Sequence, residues 1–536
     1  MPAIVRLLIA MPRPCWTVAV IAAVPLALGF SGPASARDVV EASAPSALSV
    51  TLYRDPSRGA DQAMNRDWPQ GFAMIAETRE VTLPPGESTI RFTGVAEGMV
   101  AVSAIVTGLP GGTIEKNRNA DLLSPAALVD GTLGNRVTVT RTNPVTGIAS
   151  SESAVVRTRA DGGLVLQTAA GFEAVRCSGL PEKLTFDRVP AGLSAQPVFS
   201  VDTRSTAGGT WRVQLTYLAW GFDWQAHYVG TLAEGRDDAM QMRLASWLTL
   251  LNDNGQSFDN AELLVVAGRL NVVSDLRQLS DPPTARPLQL ACYPLGSTAA
   301  GSPEPVPPPP PPAPMMVSSP MAARMEEARD ITVTGMMKAT EENLGDLKLY
   351  RVPERVTVSA KGLKQVAFLD QGKVQGRLLY RAYCAPGSAA EPVPAQMLFV
   401  TVNDKRHDLG MALPQGGVTL FEPAAGGLRL VAEGTMRDHA AGQDVELPLG
   451  GSGQVFVSCD PSGYGQPGPG WKRMAAVVTN ANPRPVSLRL QLGPSAQWRM
   501  QGLAGARVKD GQITVDLTIP ANSRRELRWQ LRQTAE

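Results

Sequence analysis

The sequence has few of the residues that most catalytic and metal centres require. Its 536 residues include 3 His and 5 Cys, and the histidines stand far apart at His227, His407 and His439. No Cys-x-x-Cys and no Gly-x-Ser-x-Gly motif occurs, and no two histidines have metal-ligand spacing. We therefore predict no metal site, no cofactor and no motif-encoded catalytic residue, and we interpret each histidine as a surface or packing residue.

An excess of charge of either sign is also missing. The 50 Lys and Arg residues nearly balance the 49 Asp and Glu residues, which leaves a net charge of +1 at pH 7. A near-neutral chain has no long-range field with which to hold nucleic acid or an anionic membrane. Beyond the N-terminal region, no apolar run is long enough to span a membrane as a helix. The sequence therefore predicts no nucleic-acid partner and no transmembrane helix in the mature chain.

Two segments imitate ligand-binding motifs. Gly463 to Gly468 has the glycine spacing of a dinucleotide-binding loop, but prolines stand where the helix would have to begin. Asn252 to Gly255 imitates part of a calcium loop, but Leu250 and Ala261 replace the carboxylates that would ligate the ion. We interpret both segments as turns.

The first 36 residues have the features of a secretory signal. Two arginines precede an apolar segment over residues 17–30, and the small residues Ala34 to Ala36 provide a cleavage site. Either Met1 or Met11 could be the true start, because the segment from Met11 is a complete signal by itself. We therefore expect a secreted protein of the periplasm or cell envelope, exported through a cleavable signal peptide.

The cysteines fit an oxidising compartment. Four remain after the signal, namely Cys177, Cys292, Cys384 and Cys459. Four cysteines allow three pairings, and we favour Cys292 with Cys384 because both end strands that flank a linker. The alternative is that all four are free, buried thiols.

β-Strand patterns dominate the chain. From Trp211 to Ala219 apolar and polar residues alternate, and a second apolar run ends at the turn Asn252 to Gly255. A third strand follows at Leu263 to Ala267, and the three predict an antiparallel meander. The sequence thus predicts an all-β protein with several β-sandwich and small-barrel domains, antiparallel sheets, very little helix and one proline-rich linker.

Changes in composition and pattern predict the domain boundaries. They are a signal peptide at 1–36, an N-terminal β domain at 48–119, a small SH3-like barrel at 120–185, a central β-sandwich at 186–291, a proline-rich linker at 300–345, a β domain continuing the sandwich at 346–460 and a C-terminal β unit at 461–536. Within the N-terminal domain the predicted strands are Leu48–Tyr53, Glu80–Leu83 and Thr89–Thr93.

The central segment resembles a family of exported bacterial proteins. Its run LTYLAWGFDWQAHYVGTL and the following NDNGQSFDNAELLVVAGRLN are similar to the DUF4139 family. The matching residues are Tyr217, Leu218, Trp224, Tyr228, Asn252, Gly255, Phe258, Asn260 and Gly268. The resemblance covers most of the mature chain and implies the fold, but it supplies no catalytic residues. Many members have a long N-terminal coiled coil, whose heptads are missing here.

Two features are candidates for binding. Trp220 and Trp224 flank a predicted bend and could present aromatic rings to a sugar or a protein, or they could fill the core. Asp330, Ile331, Val333 and Gly335 follow the proline-rich segment and resemble the short box that TonB-dependent transporters offer for strand addition. The alternative is that they form an ordinary strand of the linker.

From these features we expect a non-enzymatic role in binding or envelope assembly. The partner would be another envelope protein or a polysaccharide. The alternative is a carbohydrate-active hydrolase that uses an Asp/Glu pair, which spacing in sequence does not identify.

Overall fold

The computed structural model describes residues 37–280 and 339–534, except for short gaps at 60–61, 120–121, 144, 161–163, 176–181, 191–192, 234–238, 269, 389 and 461–469. The predicted signal peptide, most of the predicted proline-rich linker and residues 330–335 lie outside the described residues. Strand makes up 62% of the structure and helix 4%, so the protein is all-β, as predicted.

The first group of elements runs to residue 205. It comprises β1 (Asp38–Glu41), β2 (Ala47–Tyr53), β3 (Phe72–Leu83), β4 (Gly86–Thr93), β5 (Met99–Thr107), β6 (Glu115–Asn119), α1 (Pro125–Gly131), β7 (Arg136–Thr142), β8 (Ala149–Val156), β9 (Val165–Thr168), β10 (Gly171–Ala174), β11 (Glu182–Thr185) and β12 (Val198–Ser205). The next elements reach residue 383. They are β13 (Gly209–Trp220), β14 (Phe222–Leu232), β15 (Met240–Asn252), β16 (Phe258–Ala267), α2 (Leu276–Ser280), β17 (Thr340–Leu344), β18 (Leu347–Arg351), β19 (Val356–Val358) and β20 (Gly362–Tyr383).

The remaining elements complete the chain. They are β21 (Val393–Val402), a 3-10 turn (Lys405–His407), β22 (Gly416–Ala424), β23 (Gly427–Met436), β24 (Asp444–Asp460), β25 (Lys472–Asn480), β26 (Val486–Pro494), β27 (Trp498–Gln501), β28 (Arg507–Lys509), β29 (Gln512–Ile519) and β30 (Ser523–Gln533). The strands form sheets of four, five, eight and thirteen strands. Most pairs are antiparallel, and the parallel pairs in the described residues are β1–β4, β14–β22, β2–β16 and β20–β26.

One large core unites regions that the sequence assigned to separate domains. β3 pairs with β13 over their full lengths, and β2 pairs in parallel with β16. The eight-stranded sheet therefore combines strands from the predicted domains 48–119, 186–291 and 346–460, the last of which supplies β18 and β19. It also includes β17, which begins at Thr340 within the predicted linker. The predicted boundary between the N-terminal and central domains is wrong, because strand pairing between distant segments leaves no local signal.

The predicted meander is also wrong. β13 lies in the eight-stranded sheet, the β14–β15 hairpin lies in the thirteen-stranded sheet, and β16 returns to the first. The chain changes sheets at Gly221, whose φ of 91° suits glycine because a side chain there would be strained.

Buried asparagines fix the ends of three strands. The side-chain nitrogen of Asn252 donates hydrogen bonds to the carbonyl oxygens of Gln256 and Ser359, at 2.9 and 3.1 Å. Asn403 and Asn480 each donate to three carbonyl groups in the same manner. All three side chains are buried. An amide that satisfies several main-chain acceptors stabilises a buried turn, so Asn252 has a structural role.

The described residues between 124 and 186 include a small hydrophobic core of their own. Five antiparallel strands run in the order β10-β9-β8-β7-β11, and α1 packs on them. The side chain of Ser124 caps α1 by accepting a hydrogen bond from the backbone N–H of Ala127, and Pro125 follows at the first helical position. In the described residues no pairing joins β10 to β11, and the last of these five strands in the sequence, β11, lies beside the first, β7. The small barrel expected for 120–185 stays a prediction.

A second hydrophobic core lies at the C-terminal end. It contains residues of β25, β26, β27, β29 and β30 together with residues near the ends of β20, β21 and β24. The unit therefore begins before the predicted boundary at residue 461. A disulfide joins Cys384, just after β20, to Cys459 on β24, with the two Cα atoms 5.7 Å apart. The expected Cys292–Cys384 pairing is therefore wrong, because the fold brings Cys384 to β24. Cys177 and Cys292 lie outside the described residues.

A cluster of ion pairs joins this second core to β24. The buried guanidinium of Arg489 contacts Glu446 at 2.5 Å and Asp516 at 3.0 Å, and Lys509 contacts Asp444 and Glu446. Burial raises the pKa of Glu446, but the hydrogen bond and charge of Arg489 and the charge of Lys509 outweigh it and hold the pKa below its usual value. The hydrogen bond from Lys509 likewise lowers the pKa of Asp444.

The cluster predicts a loss of stability in acid. A carboxylate whose pKa is lower in the folded state stabilises the fold above its unfolded pKa, and that stabilisation is lost as the pH falls through the folded value. Urea unfolding at about pH 6 and about pH 3.5 spans this window. Glu446→Gln should reduce the difference between the two free energies of unfolding. Asp510→Asn, at an exposed carboxylate, is the control, and an unchanged difference in Glu446→Gln would contradict the prediction.

Candidate functional site: a polar groove

A groove lies on the outer face of the thirteen-stranded sheet. The register places His227 of β14 opposite Gly417 of β22, and Gly417 opposite Thr435 of β23. In the next row of the same face, Thr419 is opposite Glu433. Gly417 leaves the floor at the level of the backbone, because a Cβ atom there would lie 2.9 Å from His227 Nδ1.

The loop that follows β2 forms the wall of the groove through residues between Arg54 and Gly59 and through Gln62 and Ala63. The cavity between this loop and the three strands encloses about 260 Å³, and an adjoining cavity of about 250 Å³ shares Arg54, Arg58 and Gln415 with it. We define the polar groove by these two cavities. Its lining side chains include Arg54, Arg58, Gln62, Gln225, His227, Gln415, Thr419, Glu433, Thr435 and Asp438.

A buried ion pair holds the loop on the sheet. Arg58 donates to Asp223 at 2.7 Å and to the carbonyl oxygen of Trp224 at 2.6 Å. Asp223 also accepts a hydrogen bond from the backbone N–H of Asp55. Burial raises the pKa of Asp223, and the charge of Arg58 opposes that effect. Further along the loop, the backbone N–H of Met64 donates to the side-chain oxygen of Gln225 at 2.7 Å.

The second arginine of the groove is also neutralised. Arg54 pairs with Asp438 at 2.6 Å, and Asp438 accepts a hydrogen bond from the backbone of Gln415. In the part of the chain that the structure describes, Glu433 has no ion-pair partner. The groove therefore offers amide, hydroxyl and imidazole groups and one carboxylate without an ion-pair partner, that of Glu433, but, among its described residues, no cation free to take an anion.

The groups needed for nucleophilic catalysis are not assembled among the described residues of this groove. His227 Nε2 lies 3.1 Å from the hydroxyl of Thr419, which is a hydrogen-bonding distance. A catalytic histidine also needs an orienting partner on its other ring nitrogen, and among the described residues the ring of His227 has its hydrogen bond at Nε2, with Thr419. The arrangement suits binding through hydrogen bonds.

Neither of the two tryptophans considered for binding presents a free ring on the surface: one is buried and the other packs against neighbouring side chains. Trp224 is fully buried in the large core, so its interpretation as a binding residue is wrong. Trp220 is half-buried, and its ring lies edge-on to Trp68 at 6.0 Å. Arg277 of α2 stacks 3.6 Å from the centre of the Trp68 ring. Trp220 is thus occupied within the molecule, because α2 packs over it.

Among the residues that the structure describes, none of the other predicted site residues lines the polar groove. His407 lies in a turn and bonds Asp404 at 2.7 Å, while His439 is buried. Burial lowers the pKa of His439. The segment Asp330 to Gly335 lies outside the described residues. The cysteines that are described form a disulfide in the second core.

Sequence reasoning missed most of the polar groove. Arg54 and Arg58 lie in an irregular loop, and their respective partners, Asp438 and Asp223, are far away in the sequence. One local signal was present in the pair Gly416-Gly417, because adjacent glycines inside a strand often mark a close approach of another backbone. A Cβ at Gly416 would lie 2.1 Å from the carbonyl oxygen of Ala226.

We compared the chain with protein-family models and with curated proteins. No protein-family model matches the chain, and no curated protein matches it. Within the described ranges, no helix is long and apolar enough to cross a membrane. The same residues contain no group of three or more His, Cys, Asp or Glu side chains placed to hold a metal ion.

Proposed function

We propose that the chain is an exported, non-enzymatic binding protein of the cell envelope, and that its ligand is a neutral glycan segment held in the polar groove. The observation that carries this proposal is the internal pairing of both groove arginines, Arg54 with Asp438 and Arg58 with Asp223. With these charges neutralised, the remaining groups are amides, hydroxyls, an imidazole and the carboxylate of Glu433, which can accept hydrogen bonds from hydroxyl groups. This set favours an uncharged ligand rich in hydroxyl groups.

Three features support the envelope location. The N-terminal sequence has the pattern of a secretory signal, and the central segment resembles the exported DUF4139 family. The disulfide between Cys384 and Cys459 is a bond that persists in oxidising compartments. We therefore propose that the mature protein acts outside the cytoplasm.

Filling the floor of the polar groove should weaken ligand binding. In Gly417→Val the new side chain points at the imidazole of His227 and occupies the space above the sheet. We expect the affinity for a neutral oligosaccharide to fall by roughly tenfold or more, the factor that about 1.4 kcal/mol represents. Isothermal titration of the mature chain with chitotetraose and with maltotetraose measures this change.

The matched control is Gly372→Val. Gly372 is an exposed strand glycine, and a Cβ atom added there would have no other atom within 4 Å, so the substitution places the same β-branched side chain in open space. The control should bind like the unmodified protein. Equal affinity in both variants would place the ligand outside the polar groove, and binding of neither oligosaccharide by the unmodified protein would contradict the proposal.

A carbohydrate hydrolase is the second candidate, because two carboxylates line the polar groove. Glu433 is without an ion-pair partner among the described residues, and Asp438 is held by Arg54. A glycosidase needs such a pair at a defined separation. Release of reducing ends from the oligosaccharides, lost in both Glu433→Gln and Asp438→Asn, would favour hydrolysis over binding alone.

A further inference from the structure

One exposed face of the thirteen-stranded sheet, at the end formed by β25, β30 and β27, is strongly basic although the whole chain is nearly neutral. β30 pairs with β25 on one side and with β27 on the other. The outward-facing residues of these strands include five arginines and one carboxylate. They are Arg473, Arg499, Arg524, Glu526, Arg528 and Arg532, and we call this surface the arginine face.

The register brings the positive charges together. Arg532 is directly opposite Arg499 on β27, and Arg473 is opposite Gln530, the next residue of the same face. Arg528 and Arg524 continue the row along β30. From Arg524 to Arg532 the row extends about 27 Å, since a strand rises about 3.4 Å per residue.

Little in the described part of the molecule neutralises this face. Arg528 bonds Glu526 at 2.7 Å, and both side chains are exposed. In the part of the chain that the structure describes, Arg473, Arg499, Arg524 and Arg532 have no carboxylate partner. Like charges directly opposite each other destabilise an antiparallel pair. Retaining Arg499 opposite Arg532 therefore has a cost in stability, which an external anion would relieve.

The shape of the face identifies the kind of anion. The arginines stand on a strand surface rather than in a cleft, so they can contact several anionic groups at once. Guanidinium groups bind phosphate through two parallel hydrogen bonds. Trp471 lies at the rim, partly exposed, with the Arg532 guanidinium 5.0 Å from its ring centre. Tryptophan is enriched where proteins meet the headgroup region of a membrane.

We propose that the arginine face docks on the phosphate headgroups of an anionic phospholipid surface. The docking is peripheral and electrostatic, and it involves no residue of the polar groove, so it can hold or fail independently of the glycan proposal. The net charge of +1 does not oppose it, because the field near a surface depends on local charges within about a Debye length.

The test is sedimentation of the mature chain with vesicles. One arm uses pure phosphatidylcholine, and the other contains about one third phosphatidylglycerol. We expect binding to the anionic vesicles alone, weakened by added salt. The triple variant Arg499→Gln, Arg528→Gln, Arg532→Gln should bind roughly a hundredfold more weakly, from the usual contribution of each basic residue near such a surface.

The control variant removes the same charge elsewhere. Arg66, Arg136 and Arg212 are exposed and lie outside the arginine face, so their replacement by Gln should leave vesicle binding unchanged. Thermal unfolding of both triple variants checks that the fold is intact. Equal loss of binding in the two variants, or no binding to anionic vesicles, would overturn the proposal. Binding to soluble polygalacturonate but not to vesicles would also overturn it, in favour of an acidic glycan.

Discussion

Replacing Arg79 with methionine is expected to lower the free energy of unfolding by about 3–5 kcal/mol, the usual cost of leaving a buried charge without its partner. Arg79 and Glu77 lie on the inward face of β3, and both are buried in the large core. Their side chains meet at 2.6 Å, and the hydroxyl of Tyr217 donates to Glu77 at 2.8 Å. Urea unfolding of the variant at neutral pH measures the loss.

The informative comparison is the double variant Glu77→Leu, Arg79→Met. It removes both charges at once, so no carboxylate remains buried without a positive partner. The hydroxyl of Tyr217 still accepts a hydrogen bond from the backbone N–H of Ala96. Buried ion pairs can often be replaced by apolar residues at little cost. The double variant should therefore be more stable than Arg79→Met alone. A double variant that is less stable than the single one would contradict this account of the pair.

Removing the disulfide should have an effect of similar size. The bond between Cys384 and Cys459 closes a loop with a sequence separation of 75 residues. Chain-entropy arguments assign about 4 kcal/mol of stabilisation to a loop of this length. The bond ties the end of β20 to β24 beside the start of β21 at Val393, where β20 and β21 are no longer paired. We expect Cys384→Ser, Cys459→Ser to destabilise the second core first.

Two measurements separate this effect from a general one. Calorimetry should show a lower unfolding temperature, and limited proteolysis should cut first among β25 to β30, whose core contains both cysteines. Cys177→Ser, Cys292→Ser is the control, because it removes two cysteines and leaves the Cys384–Cys459 bond intact. Early cleavage in β7 to β11 instead would show that the disulfide does not stabilise the second core.

The buried ion pair of Glu77 and Arg79 also shows why the sequence predicts only part of β3. Its alternation predicts a strand only from Glu80 to Leu83, whereas β3 begins at Phe72. Glu77 and Arg79 occupy inward positions where the pattern expects apolar residues, so the strand was cut short. Charged residues go to the interior when partners are supplied there, and Tyr217 comes from a strand more than a hundred residues away.

The candidate site was less predictable than the fold. His227 was recognised as a strand histidine, but its neighbours in the polar groove come from β22, β23 and the loop after β2. The burial of Trp220 and Trp224 could not be predicted for a related reason. Strand aromatics face either the core or solvent according to register, and the register that buries Trp224 depends on β13 and β14 belonging to different sheets.

The sequence by itself determined the all-β class, because alternation of apolar and polar residues is a local property of each strand. It also determined that the chain as a whole carries almost no net charge. Only the tertiary structure decided which strands are neighbours, and therefore which charges meet. Contacts between distant segments neutralise Arg54 and Arg58 in the polar groove. The pairing of β30 with β25 and β27 places the arginines of these strands together on one face.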